Sequence, residues 1–182
     1  AIASCVFLGV DFFKVSSALS LFTGVRRRFE VIGTVDDIMI VDDYAHHPTE
    51  IEATLHAARM GWLKGKRIIC VFQPHRFTRT VYLHEQFGEA FSDADIVVIT
   101  DIYSAGESPV EGVSGKTVSE EVAKKMGSNV HYIAKKNKIA DYLFKVVKGG
   151  DIVITAGAGD IYTVGKELLS RLKERTLKSA KV

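Results

Sequence analysis

Six consecutive positions, Asp42 to His47, hold two carboxylates, a phenol and two imidazoles, and Pro48-Thr49-Glu50 follow directly. A surface turn has no packing reason to gather so many titratable groups. Asp43 can accept hydrogen bonds from the hydroxyls of a ribose, and Tyr44 and His46 can stack on a ligand or hydrogen-bond to it. Asp42 can orient an imidazole. A plainer reading uses one Asp to cap the following helix and leaves the histidines simply exposed. Asp42, Asp43, His46 and His47 are also suitable types for a two-metal phosphoesterase, which would need Asp101, His75 or Asp160 as further ligands.

Four other stretches carry charge or glycine at informative spacing. In Gln73-Pro74-His75-Arg76-Phe77-Thr78-Arg79, two arginines stand three apart beside a histidine. Guanidinium forks suit a carboxylate or phosphate, although the same residues could form a solvated turn paired with Glu85 or Glu89. Gly157-Ala158-Gly159 can present backbone amides to an anion, or can let a helix and a strand pack closely. Arg26-Arg27-Arg28 is a less specific basic run, of interest because it lies near the first cluster. Gly112-Val113-Ser114-Gly115-Lys116-Thr117 imitates a phosphate loop, but Val110 occupies the first glycine position of the longer motif and no apolar strand ends just before it. It reads as a loop leading into a helix.

The elements that must position these groups follow from periodicity. Residues 1 to 23 carry two helical patterns separated by Gly9, the second with an apolar face of Phe12, Val15, Leu19 and Phe22. Arg26 to Ile32 leads into a strand, and Gly33 with Asp36-Asp37 marks a turn back into a strand ending at Val41. Helices are expected from Pro48 to about Leu63, with Ile51, Leu55, Ala58 and Trp62 on one face, and from Val81 to Phe91. Strands are expected over 67–72, 96–99, 130–133 and 152–155, and further helices run up to Met126 and over 139–147. A last helix opens at Gly157 and Gly159 and ends near Lys173, followed by a frayed basic tail from Arg175. Continuous apolar strands alternating with helices predict an α/β, Rossmann-like fold: a mostly parallel sheet covered on both faces, with an antiparallel strand at the start. In such sheets ligands bind at the carboxyl ends of the strands, which should line the four loops from Asp42 to Glu50, Gln73 to Arg79, Asp101 to Gly115 and Ala156 to Asp160 along one edge.

Composition fits a soluble globular domain, with 47% hydrophobic and 25% charged residues in 182. A net charge of +2 gives no reason to expect a nucleic-acid or membrane partner, and no apolar run approaches the roughly 18 residues of a bilayer span. Cys5 and Cys70 lie in apolar runs without metal-ligand spacing and read as buried thiols of a reducing cytosol. Ala1 to Cys5 lacks an initiator Met and reads as the inside of a helix, so the chain is expected to be a piece of a longer protein.

Arg28-Phe29-Glu30 followed by Asp43-Tyr44-Ala45-His46-His47-Pro48 resembles the entry to the C-terminal domain of the Mur ligases, which join amino acids to peptidoglycan precursors using ATP. Gln73 to Arg79 and Gly157-Ala158-Gly159-Asp160-Ile161 are similar to segments of the alanine-adding members. The resemblance covers nearly all of the chain from about Gly24. It implies that residues 1–23 end a central ATP-binding domain. Residues 24–182 would form the Rossmann-like C-terminal domain that closes over ATP and presents the amino acid.

By this resemblance Arg28 would contact the ATP phosphates and Asp43 the ribose. His46, Arg76 and Arg79 would act at the reacting centre, where L-alanine meets the acyl phosphate of UDP-N-acetylmuramate. Tyr44, His75, Gly157 and Gly159 would bind substrate. The implied cofactors are ATP and Mg2+, with no metal ligand assigned in this chain, and the implied setting is cytoplasmic peptidoglycan synthesis by a monomer or weak dimer. The family's central Gly-Thr-x-Gly-Lys-Thr phosphate loop is absent, so the chain alone is not expected to turn over ATP. A non-catalytic nucleotide-binding module is a further reading.

Overall fold

A computed structural model describes residues 1–22, 24–61 and 65–179. Its framework is a six-stranded sheet in the order β1-β2-β6-β3-β4-β5. The strands are β1 (Glu30–Val35), β2 (Ile38–Asp43), β3 (Ile68–Phe72), β4 (Ile96–Ile99), β5 (Val130–Tyr132) and β6 (Ile152–Ala156). β1 and β2 form an antiparallel hairpin, and every other pairing is parallel. The expected fold class is therefore the observed one.

The hairpin turns at Asp36 and Asp37, both left-handed (φ 51° and 59°), as a two-residue connection that matches strand twist requires. Gly33 is not part of that turn. It lies within β1 at a register shift, where an added methyl would press to 2.9 Å from a Leu169 methyl carbon. The glycine gives the helix that carries Leu169 a close seat on the strand.

Period-two alternation divides the core into two layers. Cys70 and Phe72 of β3 face Ile51 and Leu55 of α3 (Pro48–Met60), Phe87 of α4 (Phe77–Phe87) and Val118 and Val122 of α5 (Gly115–Met126). Ile69 and Val71 face the opposite way, toward Ile139 and Leu143 of α6 (Ile139–Val146) and Leu168 and Leu172 of α7 (Tyr162–Ser179). Burying both faces explains why these strands are apolar throughout. Trp62 and Leu63, expected on and at the end of α3, lie outside the described residues.

Two helices differ from expectation. α4 begins at Phe77, not Val81, so Arg79 sits in its first turn and not in a loop. α7 runs to Ser179, past Lys173, because Thr176 and Arg175 reach the Asp36 carboxylate at the hairpin turn. Those contacts order part of the expected frayed tail; residues 180–182 lie outside the described residues.

The N-terminal helices α1 (Ile2–Phe7) and α2 (Phe12–Ser20) pack mainly on each other. Of the expected apolar face Val15 is buried, while Phe12, Leu19 and Phe22 are exposed, and Cys5 is half-buried where Cys70 is fully buried.

The phosphate-loop look-alike is a helix start: Ser114 caps α5 by accepting from the Lys116 N–H at 3.2 Å. Gly115 is there because a methyl would overlap the Thr100 carbonyl oxygen just after β4. Gly115→Ala is expected to lower stability by about 1–3 kcal/mol, the usual cost of overpacking. Urea unfolding of the chain measures it, and an unchanged midpoint would show that the helix can retreat.

Candidate functional site

β2, β6, β3 and β4 end level with one another: Asp43 is in register with Ala156, Ala156 with Phe72, and Phe72 with Ile99. The chains leaving β2 and β3 run to helices on one face, and the chain leaving β6 runs to α7 on the other. That divergence opens a crevice at the carboxyl edge, where α/β sheets bind ligands.

The two aspartates are tied into the framework. Asp42 is buried; its Oδ1 accepts from Thr155 Oγ1 at 2.7 Å and its Oδ2 from Arg27 Nε at 2.8 Å. The partner of Asp42 is thus an arginine and a threonine, not an imidazole. Arg27 also donates Nη2 to the Gly157 carbonyl at 2.8 Å, and its guanidinium lies over the rings of Tyr44 and Tyr162. Asp43 accepts from the Phe29 N–H at 2.8 Å and the Ala45 N–H at 2.7 Å. Each Asp43 oxygen keeps a further lone pair. Neither aspartate caps α3. Glu50 does so by accepting from the N–H groups of His46 and His47 at 3.0 and 3.2 Å. Arg28 is exposed, with its guanidinium 5.6 Å from the centre of the Tyr44 ring.

The imidazoles of the first and second loops meet. His46 and His75 have ring centroids 5.6 Å apart, and His46 also packs edge-on against Tyr44. His46 Nδ1 lies 2.9 Å from the Tyr44 carbonyl, so that nitrogen carries hydrogen and Nε2 of the neutral ring is left as an acceptor. His75 is the complement. Its Nδ1 faces Arg79 Nη1 at 3.2 Å, and since a guanidinium only donates, Nδ1 accepts and Nε2 carries the hydrogen. Burial, then the charges of Arg79, His46 and Arg76, hold the His75 imidazole below its ordinary range. His75 also stacks on Tyr103, 5.8 Å away with ring planes 9° apart. Arg76 is half exposed and lies 4.0 Å from Glu107, so neither Glu85 nor Glu89 is its carboxylate neighbour.

The glycine turn serves close approach. Gly157 has φ 151°, and a methyl there would press to 2.9 Å from the Gln73 carbonyl oxygen. At Gly159 it would come within 2.6 Å of the Tyr103 ring. Gln73 is buried, donates to Asp160 at 3.3 Å, and its Oε1 has no partner among the described residues. Asp160 also pairs with Lys136, and Asp101 accepts from the Tyr132 hydroxyl. Among the described residues no three His, Cys, Asp or Glu side chains converge to hold a metal ion. With Asp42 and Asp43 engaged as above, the two-metal reading lacks its ligand set.

Residues 27–159 match the family model described as Mur ligase, glutamate ligase domain. The chain belongs to the Mur ligase family. It is 52% identical over 174 residues to the UDP-N-acetylmuramate–L-alanine ligase of Pelotomaculum thermopropionicum, covering 96% of this chain and 37% of that protein. It is 49% identical to the same-named enzyme of Geotalea uraniireducens, again covering 37% of the relative. The chain thus spans little more than a third of these Mur ligases. Among solved structures, the UDP-N-acetylmuramate–alanine ligase of Thermotoga maritima superposes with a TM-score of 0.78 at 29% identity, covering 96% of this chain and 36% of that one. The MurF ligase of the same organism, in complex with ADP, shares the fold at a TM-score of 0.65 and 23% identity.

The structure brings Asp43, Tyr44, His46, His75, Arg76, Arg79, Gly157 and Gly159 to one edge of this Mur ligase domain, with Arg28 beside Tyr44. Four further residues build that edge: Arg27, Tyr103, Glu107 and Tyr162. In sequence Arg27 is one of three consecutive arginines, and Tyr103 and Glu107 lie in the loop from Asp101 to Gly115, where no periodic signal marks them. An open cleft of about 570 Å³ on the α7 side is lined by Arg26, Arg27, Asp42, Tyr44, Tyr162 and Lys166, among others.

Two outcomes follow. Arg27→Ala strands the buried Asp42 carboxylate and should cost about 3–5 kcal/mol, whereas the exposed Arg28→Ala should be nearly neutral. Equal shifts in denaturant midpoint would refute the knot of hydrogen bonds that Arg27 makes with Asp42 and the Gly157 carbonyl. The His75 imidazole should titrate below the ordinary 6.5, and Arg79→Ala should raise its midpoint. Stability held by the neutral ring is then complete above about pH 6.5 and is lost as the pH falls through the folded-state value. An NMR midpoint at or above 6.5 would contradict the hydrogen-bond assignment.

Proposed function

We propose that this chain is the C-terminal part of an ATP-dependent ligase that joins L-alanine to UDP-N-acetylmuramate through an acyl phosphate. The 52% identity with an enzyme of that name supports the choice of substrates. The convergence of His46, His75, Arg76 and Arg79 supports the assigned chemistry. ATP supplies the phosphoryl group that activates the sugar's carboxylate.

Each wall residue has a task that its geometry suits. Arg76, half exposed with its fork unfilled, holds the carboxylate of alanine, and Arg79 holds His75 and adds positive charge facing the acyl phosphate. His46 Nε2 is the free acceptor that takes a proton from the alanine ammonium, so that the amine can attack. Tyr44, His75, Gly157 and Gly159 shape the pocket against which the substrates lie. Arg28 contacts the ATP phosphates from outside the knot, and the spare lone pairs of Asp43 accept from the ribose hydroxyls.

The magnesium ions that such a ligase uses would be held by residues outside this chain. Residues 1–23 would belong to the preceding central domain, a reading favoured by the exposed apolar side chains of α1 and α2. Closure of the two domains would exclude water from the acyl phosphate. The chain alone would bind and not turn over. No described helix is long and apolar enough to cross a membrane, and a nucleotide-dependent ligase would work in the cytoplasm.

The test uses the full-length protein and phosphate release that depends on both UDP-N-acetylmuramate and L-alanine. Arg28→Ala should raise KM for ATP about tenfold, and Arg76→Ala should raise KM for L-alanine about tenfold, the scale of one charge-assisted hydrogen bond. The reverse pattern would exchange the two sites, and no alanine-dependent release would refute the substrate assignment.

A further inference from the structure

The loop after β4 grips the second loop at three points. The Tyr103 N–H donates to the Pro74 carbonyl and the Arg76 N–H donates to the Tyr103 carbonyl, each at 2.9 Å. The Tyr103 ring lies parallel to the His75 ring. The third point is Glu107. Helix α4 has no side-chain cap of its own, because its N-cap position is Arg76. Glu107 supplies the cap from 29 residues downstream: Oε2 accepts from the Thr78 N–H at 3.0 Å and Oε1 from Thr78 Oγ1 at 2.8 Å. The Thr78 N–H, then the Thr78 hydroxyl and the nearby Arg76 charge, hold the Glu107 carboxyl below its ordinary range.

The gripped residue is in a backbone conformation it would not choose. Arg76 has φ 71°, a left-handed value that side-chain-bearing residues rarely adopt and that persists only where neighbours enforce it. Glu107 stands 4.0 Å from Arg76 Nη1, too far for a direct hydrogen bond. At that distance it lies beside the arginine without filling its fork.

We propose that Glu107 and Tyr103 are positioning residues for the amino-acid carboxylate. Glu107 fixes the first turn of α4, and Tyr103 fixes the backbone of Arg76 and the plane of His75. Together they aim the Arg76 guanidinium and the Arg79–His75 pair into the crevice. The inference rests on the reading of Arg76 as the holder of the alanine carboxylate.

The test is a set of steady-state measurements on the full-length enzyme. Glu107→Ala should raise KM for L-alanine about tenfold and leave KM for ATP within about twofold, the loss of one charge-assisted contact. Glu107→Gln keeps one acceptor oxygen for the Thr78 N–H and should give a smaller rise. Thr78→Val removes the hydroxyl from the other side and should act in the same direction, which keeps the test open if Glu107→Ala does not fold. In the double variant Arg76→Ala/Glu107→Ala the two effects on alanine should combine less than multiplicatively, because Glu107 acts in part through Arg76. If Arg76→Ala raises KM for alanine while Glu107→Ala and Thr78→Val do not, the positioning role is wrong. Effects of Arg76→Ala and Glu107→Ala that multiply would overturn it equally. If Arg76→Ala itself leaves alanine use unchanged, the underlying reading of the second loop fails and the inference falls with it.

Discussion

A buried carboxylate needs a cation, and the arrangement of the site begins with how Asp42 gets one. Its side chain, one residue before the end of β2, is buried inside the sheet edge, where an unpaired charge would be costly. Arg27 reaches it from the segment before β1 and spends its second arm on the Gly157 carbonyl after β6. To do so, the segment adopts left-handed backbone at Arg27 and Phe29 (φ 59° and 47°). Two carboxylates pin that bend, with Glu30 accepting from the Arg27 N–H at 2.7 Å and Asp43 from the Phe29 N–H. The exposed Arg28 is held between these two residues and is presented outward as a result. Asp43 is therefore structural whatever it also contacts.

Much of this was legible in the sequence. Strands buried on both faces are runs of Ile and Val, and each run fell where a strand was expected. The carboxyl-edge rule then placed the four loops together before any contact was known. What escaped were features set by distant partners. Periodicity places the start of α4 four residues late because an arginine at φ 71° gives no periodic signal, and the cap Glu107 lies 29 residues beyond Thr78, which it holds. Gly33 reads as a turn residue in sequence because its close neighbour, Leu169 of the helix packed on β1, lies far away in the chain. The end of α7 was read short because Asp36, which holds it, belongs to the first hairpin. In the candidate site, residue types announced the histidines and arginines. The choice between a free carboxylate and a committed one, as for Asp42 and Asp43, depended on backbone geometry that local spacing does not encode.

The imidazole pair also acquires meaning from the fold and not from composition. His46 and His75 are identical in type, yet the Tyr44 carbonyl beside one and the Arg79 guanidinium beside the other give them opposite tautomers. One edge of the crevice thus offers an acceptor and a donor side by side. Such a pair can take a proton at one ring while the other holds an oxygen in place.

The position of β6 has a consequence for how this sheet comes into being. Residues 152–156 form the last strand in sequence, yet they lie between β2 and β3, which have no direct pairing with each other. Until that segment emerges from the ribosome and inserts, the Asp43 and Phe72 strand ends have no common neighbour, and Gly157 cannot receive Arg27. The crevice is therefore completed only after the other described strands have been made, by contacts of long sequence separation that are slow to form. A nascent chain halted before residue 152 would display the histidines and arginines without the strand that brings them into register.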